Sequence, residues 1–284
     1  MSVVKVTAVF ETSKQKVWSA ITNPEIMKIW YFDMSNFKLE IGNEFTFYEP
    51  DGTIFFHKCK VLNFEENKLF QHTWTHPEQS KGSSIVTWTI EEIETGKIQV
   101  TLSHEGLDTF VDGGEKFEPK NYEIGWNALV KTSLRNYLYN IQKLVFNLEI
   151  NASAETIWNK LWNKESYTQW VMPFCEGTYF TGEIELGNRI HFIAPSFHGM
   201  YSDVFYLIPN ELVIFKHIGN LKDLKEQPID AETEKWTGCF EIYKLKEVEG
   251  KTTVTAEIDC MPEYINYMNE KFPLALQELK KISE

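Results

Sequence analysis

Four cysteines are all the chain contains, Cys59, Cys175, Cys239 and Cys260, and no two form a Cys-x-x-Cys pair. That sparseness speaks for reduced thiols and a cytoplasmic location rather than a disulfide framework. Arginine is scarcer still: Arg135 and Arg189 stand against 26 lysines. Acidic residues outnumber basic ones 41 to 28, and the resulting charge of −13 excludes a protein that tracks nucleic-acid phosphates. No apolar stretch approaches the ~20 residues of a membrane span. Met1-Ser2-Val3-Val4-Lys5 lacks the charged-then-apolar layout of a signal peptide. Also missing are a Gly-x-Ser-x-Gly elbow, a Gly-x-Gly-x-x-Gly fingerprint and a Gly-Lys-Thr/Ser phosphate loop. No cofactor is expected.

What the chain has in abundance is aromatic side chains: 9 Trp, 12 Tyr and 20 Phe, or 14 % of the sequence. A disordered chain would be poor in them. With 284 residues, the chain is about twice the size of one ordinary domain. The tryptophans explain the length. Val17-Trp18-Ser19-Ala20-Ile21 is answered by Ile157-Trp158-Asn159-Lys160-Leu161, and Trp30 by Trp170, both at a spacing of 140. Ser13 is answered by Ser153 at the same spacing. Ile41-Gly42-Asn43-Glu44-Phe45 resembles Leu186-Gly187-Asn188-Arg189-Ile190 at 145, Lys68-Leu69 matches Glu211-Leu212 at 143, and Gly96-Lys97 matches Gly250-Lys251 at 154. Order holds while the offset drifts by loop-sized steps, the mark of two copies of one domain. We set the division at residues 1–142 and 143–284.

Each copy reads the same way. A β-rich opening, residues 4–11 or 144–150, leads into a Ser-capped helix with an apolar stripe, closed in the first copy by Asn23-Pro24. Strands follow, separated by turn signals: Pro50-Asp51-Gly52, Glu65-Glu66-Asn67 and Thr95-Gly96, then Pro209-Asn210 and Glu249-Gly250. A long amphipathic helix closes each copy. In the first it carries Trp126, Leu129, Val130, Ser133, Leu134, Tyr137, Leu138 and Ile141 on one face. In the second, Pro273 marks a kink or a fresh start.

These residues carry a resemblance. The Val17-Trp18 helix, Trp30, Gly42 before Phe45 and Phe47, Leu69 before Trp74, Ser84 to Trp88, and Gly125-Trp126 opening a final helix resemble the activator of heat shock protein 90 ATPase homologue family. That family belongs to the START-like, helix-grip superfamily, with polyketide cyclases and plant lipid-binding proteins. The resemblance covers nearly all of the first copy and, more weakly, the second, which lacks the Gly-Trp. It implies an α+β protein of two tandem helix-grip (START-like) domains. Each is a curved antiparallel sheet wrapped around a long C-terminal helix, with a cavity between them. Eukaryotic chaperone-activating members carry an additional N-terminal domain that nothing here resembles, so no motif supports a chaperone partner.

Strand parity identifies the inner face. Phe70, His72 and Trp74 share one parity, as do Val86, Trp88 and Ile90, and Val100, Leu102 and His104. Gln71, Thr73, Thr87, Thr89 and Thr101 then face solvent. With turns centred near residues 80 and 95, His72, Trp88 and Leu102 fall in one row, and Trp74, Val86 and His104 in the next. The expected ligand-binding wall is Phe70, His72, Trp74, Val86, Trp88, Leu102, His104, Trp126 and Tyr137. It suits a small hydrophobic molecule, with a solidly packed core as the competing reading. In that register His72 and His104 lie roughly 12 Å apart, and His72 and His76 ~13 Å apart along a strand. Neither pair suits one zinc at ~2.0–2.1 Å, and no metal is expected.

The function these expectations favour is non-catalytic binding of a small hydrophobic ligand. The alternatives are a cyclase- or hydrolase-like enzyme with His72 or His104 as general acid/base, and a co-chaperone-like interaction module. In the second copy His191, His217 and Glu241 are further pocket candidates, with no catalytic role assigned. Two connections stand out: residues 107–122, bordering the cavity mouth as a lid, and residues 218–235, a long acidic loop. Residues 1–143 carry 15 basic and 19 acidic side chains, and residues 144–284 carry 13 and 22, so the acidity is concentrated in the second copy.

Overall fold

A computed structural model describes residues 2–49 and 55–284. The chain divides into two compact units, Met1–Tyr139 and Asn140–Glu284. In the first, β1 (Val3–Glu11), β2 (Glu44–Tyr48), β3 (Phe56–Glu65), β4 (Leu69–Trp74), β5 (Ser84–Glu94) and β6 (Lys97–Glu105) form an antiparallel sheet in the order β1-β6-β5-β4-β3-β2. Helices α1 (Lys14–Thr22) and α2 (Pro24–Trp30) fill the first connection. The Ser13 hydroxyl accepts from the Lys16 amide at 3.2 Å and the Asn23 side chain from the Glu25 amide at 3.0 Å, so each helix starts where its cap dictates. The closing helix runs as α3 (Pro119–Ala128), a π-helical stretch Leu129–Leu134, and α4 (Arg135–Leu138). Gly125-Trp126 therefore lies inside this helix rather than at its start, because Pro119 is the residue suited to a first turn.

The second unit repeats the plan. Strands β7 (Gln142–Ile150), β8 (Tyr179–Thr181), β9 (Arg189–Ile193), β10 (Gly199–Ile208), β11 (Leu212–Lys222), β13 (Phe240–Val248) and β14 (Lys251–Cys260) pair in the order β7-β14-β13-β11-β10-β9-β8, with β12 (Lys225–Glu226) beside β11. Its helices are α5 (Ala154–Trp162), α6 (Lys164–Trp170), α7 (Ala231–Glu234) and the long α8 (Ile265–Ser283). α8 passes through Pro273 without interruption. Both units are curved antiparallel sheets with a long C-terminal helix. Among the described residues, no helix is long and apolar enough to cross a membrane.

The turn residues sit where hairpins need a positive φ: Asn67 at 60° and Gly96 at 76°, then Asn210 at 66° and Gly250 at 79°. The Pro50-Asp51-Gly52 signal lies outside the described residues. Strand parity is as read, with Phe70, His72, Trp74, Val86, Trp88, Leu102 and His104 all buried. Thr101 departs from its polar expectation: it is buried on the outer face, its hydroxyl 3.1 Å from that of Thr7 on β1.

Two expectations require correction. His72 lies opposite Val86, which lies opposite His104, while Phe70, Trp88 and Leu102 form the neighbouring row. The β5–β6 register is as anticipated. The β4–β5 register is displaced by two residues, since Trp74 pairs with Ser84 and the connection is centred on Gln79. A two-residue shift keeps every side chain on its face and changes only its neighbours. Residues 218–235 are likewise not a long loop. Ile218 and Leu221 continue the alternation of β11, and Asp230 caps α7 by accepting from the Thr233 amide at 2.8 Å. The Asn220 amide then donates to the Thr233 hydroxyl at 2.9 Å, tying the segment down.

Trp30 and Trp170 are the strongest common feature. Each is buried, and each donates its indole N–H to a carbonyl of the preceding helix, Ala20 at 2.9 Å and Leu161 at 3.1 Å. Trp30→Phe and Trp170→Phe should each lower stability by about 1–3 kcal/mol through an unsatisfied buried carbonyl. Urea unfolding would show it, and an unchanged midpoint in either variant would remove that tryptophan from its anchoring role.

Candidate functional site

The first unit buries four histidines, His57, His72, His76 and His104, each at most 2 % exposed. Their hydrogen bonds distinguish them: both nitrogens of His104 are engaged, whereas His57, His72 and His76 each keep at least one without a hydrogen-bond partner among the described residues. An indole N–H only donates, so the 2.9 Å contact from Trp126 Nε1 makes His104 Nδ1 an acceptor. His104 Nε2 then carries the proton and donates to Ser84 Oγ at 2.7 Å, and the Ser84 hydroxyl donates to the Trp74 carbonyl at 3.2 Å. Every polar atom of this relay is used. Burial, with help from the neighbouring histidines, holds the His104 pKa well below its ordinary value.

His72 donates from Nδ1 to the Thr73 carbonyl at 2.9 Å and has its ring between Phe45 and Phe70, with centroids 5.6 and 5.1 Å away. Its pKa is pushed down to about 4 by burial. In this register it shares a row with His104, two strands away, so the ~12 Å separation set out above becomes ~10 Å. Both nitrogens of His104 are engaged in hydrogen bonds. Among the described residues, no group of three or more His, Cys, Asp or Glu is placed to hold a metal ion.

His57 and His76 behave differently. Both line a cavity of about 390 Å³, together with Trp74, Trp126, Phe32, Phe55, Phe117 and Tyr122. The Trp74 indole N–H donates to His76 Nε2 at 3.1 Å, and the Tyr122 hydroxyl lies 2.9 Å from the same nitrogen. The His76 proton therefore sits on Nδ1, which has no partner among the described residues. The His57 ring stacks on Phe47 at 4.4 Å and lies 4.4 Å from that of His76. Neither of its nitrogens has a hydrogen-bond partner among the described residues. Glu49 Oε1 lies 3.5 Å from His57 Nε2. Burial lowers the pKa of His57, against the pull of Glu49, and lowers that of His76 to about 3.

Of the nine expected wall residues, Trp74 and Trp126 line the cavity. Phe70, His72, Val86, Trp88, Leu102 and His104 are buried in the core, and Tyr137 packs half-buried against it. Neither His72 nor His104 reaches the space where a general acid/base would act. The signal for His57 was present in the alternation His57, Cys59, Val61 against Lys58 and Lys60. His76 continues the parity of His72 and Trp74 beyond the end of β4. The connection after β6 does border the opening. Lys116, Phe117, Asn121 and Tyr122 line the cavity, while Phe110 is buried. Of the candidates in the second unit, His217 and Glu241 line a separate cavity, whereas His191 lies apart from it with Nε2 2.9 Å from Glu226 Oε1.

The neutral buried histidines set an acid limit on stability. The unfolded chain takes up protons below the ordinary histidine value of 6.5, whereas folded His72 does so near 4, so stability falls as pH drops through that window. Each such histidine should contribute a slope of about 1.4 kcal/mol per pH unit. Urea unfolding between about pH 7 and about pH 4.5 would measure it. His72→Phe should flatten the curve, and an equal slope in the variant would contradict the assignment. Trp126→Phe, which strips the donor from His104, should cost about 1–3 kcal/mol at neutral pH in the same measurement.

Residues 11–139 match the model of the family described as Activator of Hsp90 ATPase homolog 1-like protein. No curated protein matches the chain. Among solved structures, the Aha1 dimer from Colwellia psychrerythraea is 24 % identical over 50 % of this chain and 96 % of its own, with a TM-score of 0.41. DynU16, from the dynemicin biosynthetic locus, is 16 % identical over 100 % of both chains, with a TM-score of 0.41. The di-domain ARO/CYC StfQ, from the steffimycin biosynthetic pathway, is 10 % identical over 98 % of this chain and 96 % of its own, with a TM-score of 0.37. The first of the two units is therefore similar, over residues 11–139, to the family described as Activator of Hsp90 ATPase homolog 1-like protein.

Proposed function

We propose that the first unit is a non-catalytic binding domain for a small, largely apolar molecule with one polar atom directed at His57 and His76. The observation that carries this reading is the pairing of an aromatic-walled cavity of about 390 Å³ with two buried ring nitrogens, His57 Nδ1 and His76 Nδ1, that lack hydrogen-bond partners among the described residues, beside His57 Nε2, 3.5 Å from Glu49 Oε1. Each unmet buried polar atom costs roughly 1–3 kcal/mol. A hydroxyl or carbonyl oxygen on a bound molecule offsets that cost, while the rings supply the apolar contact typical of ligand sites. Four cysteines outside any disulfide, three of them buried, fit the reducing environment of a cytoplasmic protein.

Native mass spectrometry of freshly purified protein, followed by extraction, should reveal a co-purifying small molecule. Independently, 2-naphthol should quench the fluorescence of Trp74 and Trp126 saturably and bind about 10-fold more tightly than naphthalene. His57→Phe should abolish that preference while leaving naphthalene binding in place. Equal affinities for the two probes in the unsubstituted protein, with no co-purifying mass, would rule the reading out.

A further inference from the structure

The second unit holds its own cavity of about 420 Å³, and its polar groups are arranged differently. Matched strand by strand, the row His72–Val86–His104 of the first unit corresponds to Phe215–Glu241–Ile258. The equivalence keeps the offsets of the repeat, 143 for His72 and Phe215 as for Leu69 and Leu212, and 154 for His104 and Ile258 as for Gly96 and Gly250. Where the first unit places valine between two histidines, the second places a carboxylate between two apolar residues.

Glu241 faces the cavity with incomplete neutralisation. Tyr243 donates its hydroxyl to Oε1 at 2.5 Å. Oε2 lies 3.6 Å from His217 Nε2, too far for a hydrogen bond. His217 is 6 % exposed and lines the cavity, and its other nitrogen is 2.8 Å from the hydroxyl of the buried Ser202. Burial pushes the His217 pKa down to about 4, so the ring is neutral and supplies no counter-charge at pH 7. Asp259 brings a second carboxylate to the same wall, its Oδ2 accepting from the Phe240 amide at 3.0 Å. No lysine or arginine lines this cavity among the described residues, whereas Lys116 lines the first. Trp170, Trp236, Tyr243, Tyr267 and Phe272 supply aromatic rings to its walls.

A carboxylate withdrawn from water is costly unless a cation pairs with it, and aromatic faces attract cations by their quadrupole. We propose that the cavity of the second unit is a binding site for a small molecule carrying a protonated amine on an apolar body, with Glu241 as the counter-ion and His217 and Tyr243 fixing its orientation. This site is separate from the one in the first unit, and its reading does not depend on that one.

The test is isothermal titration of the full chain with three probes of one shape: 2-phenylethylamine, 2-phenylethanol and 3-phenylpropionate. The amine should bind at least about 10-fold more tightly than the alcohol, and the acid most weakly. Glu241→Gln, which keeps the shape and the Tyr243 contact, should remove the amine preference and leave the alcohol affinity unchanged. Asp259→Asn should weaken the amine less. Glu49→Gln, which alters the acidic wall of the first unit, should change nothing, so the signal is assigned to the second. Circular dichroism would confirm that each variant is folded. An amine that binds no better than the alcohol, an undiminished preference in Glu241→Gln, or no saturable amine binding at millimolar concentration would overturn the proposal. The alcohol also suits the cavity proposed for the first unit, so the amine signal is assigned to the second unit by its loss in Glu241→Gln and its persistence in Glu49→Gln.

Discussion

The first unit depends on a chain of donors and acceptors running from its closing helix into its sheet. Trp126 donates to His104, His104 to Ser84, and Ser84 to the Trp74 carbonyl, joining α3 to β6, β5 and β4 in turn. Apolar packing holds a helix against a sheet but leaves it free to slide, because it is non-directional. A buried hydrogen bond does not allow sliding, since displacement leaves polar atoms unpaired. The relay therefore fixes where the helix lies, and with it the position of Trp126 in the cavity wall. It also explains how a histidine is accommodated at the centre of an aromatic core: both of its ring nitrogens are hydrogen-bonded.

That constraint separates His104 from His57 and His76, although burial treats all three alike. Chemical availability needs an unmet nitrogen on a ring that lines the cavity, a condition His72, with Nε2 unpaired in the core, does not meet. The second unit extends the point. It has lost both histidines of the row and gained Glu241 between them, so the repeated fold holds its buried polarity at a different strand. A duplicated helix-grip domain can diverge in this way without changing its scaffold. The exchanged positions all lie on the inner face, where either kind of side chain is tolerated if its polar atoms find partners. The cavity supplies room for those partners to come from outside.

Much of this architecture was legible before any coordinates. Tryptophan spacing gave the repeat, and period-two alternation gave the inner face, because both are local properties of the chain. Register between strands is not local. It depends on how a connection closes, and residues 75–83 close around Gln79 with the Ser80 amide bonded to the His76 carbonyl at 2.9 Å, shifting β4 against β5 by two residues. The inner face is therefore as read, and its cross-strand neighbours between β4 and β5 are not. The cavity itself was the least legible feature. Whether a buried aromatic lines a void or fills a core depends on where the closing helix comes to rest. Trp88 and Trp126 carry the same signal in sequence, yet only Trp126 lines the cavity. His57 was visible as a member of an alternating strand but gave no sign that its nitrogens would stay unpaired.

The drifting offset of the repeat records how each copy closes its cavity. Between the strand pairs β4–β5 and β11–β13 the second copy gains residues, and between its last strand and last helix it loses them. In the first unit that final connection carries two 3₁₀ turns, Leu107–Gly113 and Glu115–Phe117, and supplies Lys116 and Phe117 to the cavity. In the second, the helix follows the sheet almost at once, through Pro262–Tyr264. The lining residues supplied from elsewhere, Trp236 and Cys239, come from the enlarged connection after β11. A segment removed from one edge of the opening is thus replaced by one added at another. The strands still contribute equivalent positions to both cavities, Trp74 in one and His217 in the other, so the exchanged connections change each opening while the side chains on the shared strands change its chemistry.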